Sequence, residues 1–171
     1  MALRKHRPPR PTDRTHHAAG GHLIIALSVK TMDTYNLQRF VDAQRPVFEQ
    51  ALHELQQGRK RTHWMWFIFP QIQGLGHSTT ARQYAISGAG EALAYLQHPV
   101  LGQRLLEATA AVSALRGRPV GEILGSPDDL KLRSCMTLFA NAADDPGPFN
   151  QVLADFFDGQ PDAKTLDVLG L

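Results

Sequence analysis

The sequence predicts an all-α, compact single domain of about seven or eight short helices over residues 32–171. Three observations favour this class: apolar residues recur at helical spacing in several segments, helix-start and helix-stop residues flank those segments, and no repeat or linker divides residues 32–171. At 171 residues, the chain has the length of one domain with a sizeable core.

The first helical segment, Leu37–Leu55, contains a proline. Its apolar residues fall at i, i+3, i+4 and i+7, which places them on one helical face. Pro46 removes a backbone donor, so we expect a kink or two short helices that meet near Arg45. Gly58 is the predicted end of the segment. The candidate N-terminal caps are Asp33, Thr34 and Asn36.

Gln44 is the polar exception on the apolar face of this segment. A buried amide without a partner costs roughly 1–3 kcal/mol, so its side chain must form hydrogen bonds inside the protein. Two arrangements are open: the amide bonds to neighbouring backbone, or it lines a polar pocket.

The densest aromatic stretch of the chain is the segment His63–Gly76, which we call the aromatic run. It holds both tryptophans, Trp64 and Trp66, and is either the centre of the core or the wall of a pocket. We expect Thr62 to cap a short helix that ends before Pro70, although the aromatic content also permits a strand. Because the flanking helical stripes need a central filler, we expect Trp66 and Phe69, or their alternates, to be buried.

The remainder of the chain supplies the other predicted helices. They are Thr79–Ile86 capped by Ser78, Glu91–Leu96, a long helix from His98-Pro99 to Gly117, Pro119–Leu124, one that starts at Ser126, one from Pro146 to Asp158-Gly159, and a last one capped by Asp162 and ending at Leu169. Ser126 is the predicted N-cap of its helix, with Pro127 as the first helical residue. Its predicted buried face is Leu132, Cys135, Met136, Phe139 and Ala143, flanked by Lys131, Ser134, Thr137 and Asn141.

Charge is unevenly distributed along the chain. Residues 1–31 carry six Lys or Arg and one Asp, a net +5, whereas residues 32–171 carry the other 12 basic and 15 acidic residues, a net −3. The domain is therefore not a basic nucleic-acid surface, and nucleic acid is expected only through the extension. Residues 1–31 lack periodicity, which is typical of disorder, and Met32 is an alternative start of translation.

The sequence contains no phosphate loop, dinucleotide fingerprint, nucleophile elbow or metal-binding motif. Its single cysteine, Cys135, lies on an apolar stripe and is predicted to be a buried thiol, which fits a cytoplasmic location. No apolar run in the first thirty residues reaches the length of a membrane span. The histidines of the domain show no ligand spacing, and we expect no metal ion and no cofactor; they are His53, His63, His77 and His98.

Polar residues that flank aromatic side chains predict a small-molecule site. The candidate ligand-binding residues are Gln44, His63, Trp64, Trp66, Gln71, Tyr84, Lys131 and Ser134. Tryptophan would stack on the ligand, glutamine and serine would bond its polar edges, and lysine would meet an anionic group, which suits a nucleotide- or NAD-derived compound. Two alternatives are open: the aromatics only fill the core, or they form an exposed patch of a non-catalytic protein-interaction module. Whether a reaction is catalysed and which oligomer forms are also open.

Several segments resemble a family known as domain of unknown function 1810. They are His-Trp-Met-Trp-Phe-Ile-Phe-Pro-Gln at 63–71, Gly-Leu-Gly at 74–76, Tyr-Ala-Ile at 84–86, Glu-Ala-Leu-Ala-Tyr-Leu-Gln-His-Pro at 91–99 and Ser-Pro-Asp-Asp-Leu-Lys-Leu-Arg-Ser-Cys-Met-Thr-Leu-Phe at 126–139. The resemblance spans Asn36 to Gly170 and implies an all-α fold, a mainly bacterial origin and no established activity. Some members carry the label calpastatin, which none of these residues supports. The chain departs from the family pattern in its extension and in Gly88 and Gly90, where better helix formers are expected.

Overall fold

Short helices joined by tight turns make up the described part of the protein. The computed structural model describes residues 32–171, so the predicted basic extension and its disorder lie outside the described residues. The helices are α1 (Gln38–Gln44), α2 (Phe48–Gln56), α3 (Met65–Ile68), α4 (Thr79–Gln83), α5 (Ala89–Gln97), α6 (Leu101–Ser113), α7 (Val120–Leu124), α8 (Asp128–Ala142), α9 (Gly147–Phe157) and α10 (Ala163–Leu169). Residues 32–171 contain no strand, so the all-α prediction is confirmed, with ten helices instead of seven or eight.

The predicted break at Pro46 separates α1 from α2. The last bond of α1 runs from the Arg45 amide to the Val41 carbonyl at 3.0 Å, and the chain resumes helical form at Phe48. At the other end of α1, the Asp33 carboxylate accepts hydrogen bonds from the Leu37 amide at 2.6 Å and the Gln38 amide at 2.9 Å. One of the three candidate caps, Asp33, therefore closes the N-terminus of the first helix.

Helix α8 is central to the packing because it contacts α5, α7, α9 and α10, while α6 packs against α2, α5 and α9. The predicted face of α8 is buried at Leu132, Cys135, Met136 and Phe139. Phe139 packs against Tyr95 of α5, with ring centroids 5.3 Å apart. No helix within residues 32–171 is long and apolar enough to cross a membrane.

Two predicted N-caps are wrong. Pro127 itself occupies the N-cap position of α8, so Ser126 precedes the cap and forms no capping bond. The Asp129 carboxylate instead accepts from the Leu130 amide at 2.9 Å. Thr62 does not cap α3, whose N-cap is Trp64, because its hydroxyl donates to the buried Glu54 carboxylate at 2.7 Å.

Other helix starts show how strongly side-chain acceptors define these boundaries. Ser78 and Asp162 cap α4 and α10 as predicted, accepting from amides three residues later at 3.1 and 3.0 Å. The long helix α6 begins at Leu101 and not at Pro99, with Val100 as its N-cap residue, and His98 Nδ1 accepts from the amides of Val100 and Leu101 at 3.1 and 3.3 Å.

Arg39 fixes the segment between α4 and α5 against α1. Its guanidinium donates to the carbonyls of Gln83 and Ala85 at 2.9 Å and to the buried Glu91 carboxylate at 2.8 Å. Further bonds reach the carbonyls of Tyr35 and Asn36. Despite its glycines, α5 forms in full, and its Glu91 anchors Arg39 from the first turn.

Candidate functional site

Trp64 is a core residue. Its side chain is 1% exposed, and its indole Nε1 donates to Glu54 Oε2 at 2.9 Å. Phe69 is equally buried, with its ring centroid 6.3 Å from that of Trp64. Of the two residues expected to be core, Phe69 is buried and Trp66 is half-buried. The aromatic run therefore serves as core at Trp64 and Phe69, and Trp66 is the tryptophan that reaches the surface.

Trp66, Gln71, Tyr84 and Lys131 come together around a small cavity between the aromatic run, α4 and α8. The ammonium of Lys131 lies 5.7 Å from the centre of the Trp66 ring, within the range of a cation–π interaction. The cavity itself has a volume of about 10 Å³. That is room for roughly one water molecule, so the cavity cannot hold a nucleotide.

A much larger opening, which we call the α8 cleft, adjoins this cavity and shares Gln71, Gly76 and Lys131 with it. Its volume is about 490 Å³, within the usual range of small-molecule sites. The α8 cleft is lined by Gln71, Leu75, Gly76, Pro127, Leu130, Lys131, Arg133, Ser134, Asp162 and Lys164. Three of the predicted site residues, Gln71, Lys131 and Ser134, thus line one cleft.

Positive charge prevails in the α8 cleft. Lys131 is balanced in part by Asp128, with a separation of 3.4 Å. Arg133 donates its Nε hydrogen to the Gln160 carbonyl at 2.8 Å, and its two Nη nitrogens form no hydrogen bond within residues 32–171. Lys164 forms no ion pair within residues 32–171. The cleft carboxylate, Asp162, caps α10 through Oδ2, which accepts both the amide and the hydroxyl of Thr165, and its Oδ1 accepts no hydrogen bond within residues 32–171.

Ser134 lies in the α8 cleft but is largely buried, at 5% exposed. Its hydroxyl donates to the Leu130 carbonyl one turn earlier at 3.2 Å. The oxygen keeps an acceptor site, so a ligand donor can reach it without breaking that bond.

Gln44 and His63 lie away from the α8 cleft. Gln44 is 1% exposed, and its amide nitrogen donates to the Phe67 carbonyl at 2.7 Å and to the Tyr95 hydroxyl at 2.9 Å. Gln44 therefore bonds to backbone, as in the first of the two arrangements considered, but the carbonyl is 23 residues away in the aromatic run and a second partner is a side-chain hydroxyl. His63 is exposed and lines neither the cavity nor the cleft.

The buried polar groups near Gln44 are kept neutral by their surroundings. Burial raises the pKa of the Tyr95 hydroxyl far above its usual range, and the nearby Cys135 acts in the same direction. Burial alone raises the pKa of the Cys135 thiol. Cys135 is fully buried and forms no disulfide, so the prediction of a buried thiol is confirmed.

Within residues 32–171, no group of three His, Cys, Asp or Glu side chains is placed to hold a metal ion.

Seven of the ten lining residues of the α8 cleft were not among the predicted site residues, and they include Arg133, Lys164, Leu75 and Leu130. The sequence carries one signal for Leu130, because this apolar residue lies off the predicted buried face of α8. In the structure its side chain is 57% exposed. The placement of Lys164 depends on how α10 packs against α8, and the local pattern carries no signal for that.

Comparisons with known proteins place the chain in a family. The family described as protein of unknown function (DUF1810) matches residues 34–169. The crystal structure of the conserved hypothetical protein Rv1873 from Mycobacterium tuberculosis, at 1.38 Å, is similar in fold, with a TM-score of 0.80. It shares 51% sequence identity, and the match covers 81% of this chain and 99% of that one. No curated protein matches the chain. The chain therefore belongs to the DUF1810 family of proteins of unknown function.

Proposed function

We propose that this protein binds a small anionic ligand of nucleotide type in the α8 cleft. The observation that carries the proposal is the cleft itself, about 490 Å³ in volume, where an apolar wall adjoins three cationic side chains. Leu75, Pro127 and Leu130 form that wall. A nucleotide has the matching shape, since it joins a flat apolar base to a charged phosphate group.

The cationic side chains define where the anionic group would lie. Arg133 presents a planar fork that suits phosphate oxygens, and Lys131 and Lys164 supply point charges. Gln71 and Ser134 would bond the polar edges of the base or sugar. Asp162 is the carboxylate of the cleft lining, its Oδ2 caps α10, and the function that we propose for the cleft is binding.

Trp66 should report the binding. Lys131 lies over its ring, at 5.7 Å from the centroid, so an anion that draws the ammonium away changes the surroundings of the indole. Tryptophan emission is sensitive to such a nearby charge, whereas Trp64 is buried against Glu54 and should respond little.

Isothermal titration of AMP, ADP, ATP and NAD into the protein tests the proposal. The double variant Lys131→Gln/Lys164→Gln should weaken the best ligand at least about tenfold, the equivalent of about 1.4 kcal/mol. Arg82→Gln/Arg116→Gln is the matched control, since it removes the same charge at exposed positions outside the cleft. Absence of binding by all four compounds at millimolar concentration, or equal affinity for the cleft variant and wild type, would contradict the proposal.

The alternative of a protein-interaction module depended on an exposed aromatic patch. The large apolar residues exposed within residues 32–171 are Met32, Tyr35, Leu106, Leu130, Val168 and Leu171. None belongs to the aromatic run, whose Trp66 is half-buried, so we favour the small ligand over the interaction module. Binding of nucleic acid by residues 1–31 lies outside the described residues. We expect ligand binding to take place in the cytoplasm, where a lone buried thiol such as Cys135 stays reduced.

A further inference from the structure

A second basic site, which we call the arginine groove, shares no lining residue with the α8 cleft. It is about 530 Å³ in volume and lies between α2, the connector over residues 58–62 and the turn between α6 and α7. Its charged and polar walls include Arg59, Arg61, Arg118, His53, Glu54 and Gln57. The groove therefore brings together three guanidinium groups from two separate segments.

Backbone bonds hold the connector in one conformation. The Arg59 amide donates to the Glu54 carbonyl at 3.0 Å, and the Lys60 amide donates to the Ile123 carbonyl at 2.7 Å. The Arg61 amide then donates to the Glu54 carboxylate at 2.5 Å. With the connector fixed at three successive residues, the side chains of Arg59 and Arg61 start from defined positions.

The connector also separates its basic side chains into two directions. Arg59 and Arg61 line the groove, whereas Lys60 between them pairs with Asp128 at 3.0 Å and lies 5.1 Å from the centre of a Trp64 ring. This alternation is typical of extended backbone, where successive side chains point to opposite sides. Two of the three connector cations are thereby directed into the groove.

Gly58 positions the third guanidinium. Its φ of +74° is in the left-handed region, and its carbonyl accepts a hydrogen bond from Arg118 Nη2 at 3.1 Å. A Cβ added at this position would lie 1.9 Å from Arg118 Nη1. The glycine thus ends α2 and leaves the space that Arg118 occupies.

The groove cations are not neutralised by the protein. Glu54, the acid in the groove wall, is only 2% exposed, and its carboxylate is occupied by donors from Arg61, Thr62 and Trp64. Within residues 32–171, none of the three groove arginines forms an ion pair. The three exposed guanidiniums that line the groove are therefore available to bind an anion.

We propose that the arginine groove binds a compact polyphosphate group, such as pyrophosphate, tripolyphosphate or the phosphate chain of a nucleotide. Guanidinium forks match phosphate oxygens in charge and in bidentate geometry. The groove wall contains no Phe, Tyr or Trp, so it offers no stacking surface for the bases of a nucleic acid. The net −3 of residues 32–171 also opposes a long polyanion that would extend beyond the groove.

Titration of sodium pyrophosphate and tripolyphosphate into the full chain tests this site. The double variant Arg59→Gln/Arg61→Gln should lower the affinity at least about tenfold, and the affinity should fall as salt is added. These two side chains form no hydrogen bond or ion pair within residues 32–171, so the variant should fold, which circular dichroism checks. Arg82→Gln/Arg116→Gln removes the same charge outside the groove and should bind within about twofold of wild type.

Each remaining arm of the experiment separates this proposal from an alternative. Lys131→Gln/Lys164→Gln should retain pyrophosphate binding, and a loss there would assign the phosphate to the α8 cleft and overturn the groove proposal. No binding of either salt at millimolar concentration, or equal losses in the groove and control variants, would also overturn it. Tighter binding of a single-stranded oligonucleotide than of tripolyphosphate, abolished by Arg59→Gln/Arg61→Gln, would replace polyphosphate with nucleic acid as the ligand.

Discussion

Replacing Glu54 with glutamine should lower the free energy of unfolding by roughly 2–5 kcal/mol. The carboxylate is 2% exposed and accepts bonds on both oxygens. Oε1 receives the amides of Arg61 and Thr62 at 2.5 and 2.6 Å, and Oε2 receives the Thr62 hydroxyl at 2.7 Å and Trp64 Nε1 at 2.9 Å. Every one of these partners is a donor that needs an acceptor.

Glutamine can satisfy only one side of this arrangement. If the glutamine oxygen faces the two backbone amides, its NH₂ group faces the indole N–H of Trp64. Both groups are donors, so no hydrogen bond can form between them. The Thr62 hydroxyl can rotate to accept, but the buried indole cannot, and an unpaired buried donor costs about 1–3 kcal/mol. The two surviving bonds lose their charge assistance, which adds about 0.5–1 kcal/mol each. The unpaired indole donor and the two weakened hydrogen bonds together give the expected decrease in the free energy of unfolding.

The pH dependence provides a second, independent check. Burial favours the neutral acid, but hydrogen bonds from Thr62, Trp64 and Arg61 favour the carboxylate more and hold the pKa of Glu54 below its usual range. The unfolded chain has the ordinary glutamate pKa of about 4.3 and therefore binds the proton first. The stabilisation by Glu54 is complete above that pH and is lost as the pH falls through the lower pKa of the folded state. The difference between wild type and Glu54→Gln should shrink over the same interval.

Urea unfolding, followed by tryptophan emission and circular dichroism, measures the effect at several pH values. Glu49→Gln is the matched control, since Glu49 is an exposed acid in the first turn of the same helix. Its loss should be no more than about 1 kcal/mol, the usual contribution of a charge at a helix end. If Glu54→Gln destabilises no more than Glu49→Gln, or if its effect is independent of pH below about 4.3, the reasoning is wrong.

Two further substitutions test how the helices are held together. Arg39→Met should lower the free energy of unfolding in urea by about 3–5 kcal/mol, because Glu91, 3% exposed, would lose its cation. The control Arg45→Met removes an exposed ion pair and should lower it by less than about 1 kcal/mol. Equal effects would refute a stabilising role for the Arg39–Glu91 pair. Gly102→Ala should cost about 1–3 kcal/mol in the same assay, since its new Cβ would lie 2.0 Å from the backbone oxygen of Leu96, which cannot rotate away. A neutral or stabilising result would show that α5 and α6 can separate freely.

Much of the helical framework could be predicted because its signals are local. A proline interrupts the first stripe at Pro46, and a side-chain oxygen precedes α4 at Ser78 and α10 at Asp162. One of the two failed caps arose where a tertiary partner competes for the same group. Thr62 has the chemistry of a cap, but a buried carboxylate eight residues earlier is a stronger acceptor for its hydroxyl.

The site could be predicted only in part, for a related reason. Residues two apart face different directions in a helix or a strand, so one tryptophan of the pair was bound to be more buried than the other. The pattern does not tell which, because the choice depends on Glu54, whose charge makes it look like a surface residue. Lys131 was a candidate site residue because it flanks the predicted buried face of α8, and its ammonium lies 5.7 Å from the centre of the Trp66 ring.

The aromatic run links the two basic sites through its two tryptophans. Trp64 bonds to Glu54, whose carboxylate holds the connector of the arginine groove, and Trp66 lies under Lys131 of the α8 cleft. Asp128 joins the same two regions, since its two oxygens pair with Lys60 at 3.0 Å and Lys131 at 3.4 Å. Asp128 therefore contacts a lysine of the connector and a lysine of the α8 cleft, and it is the carboxylate that lies between the two basic sites.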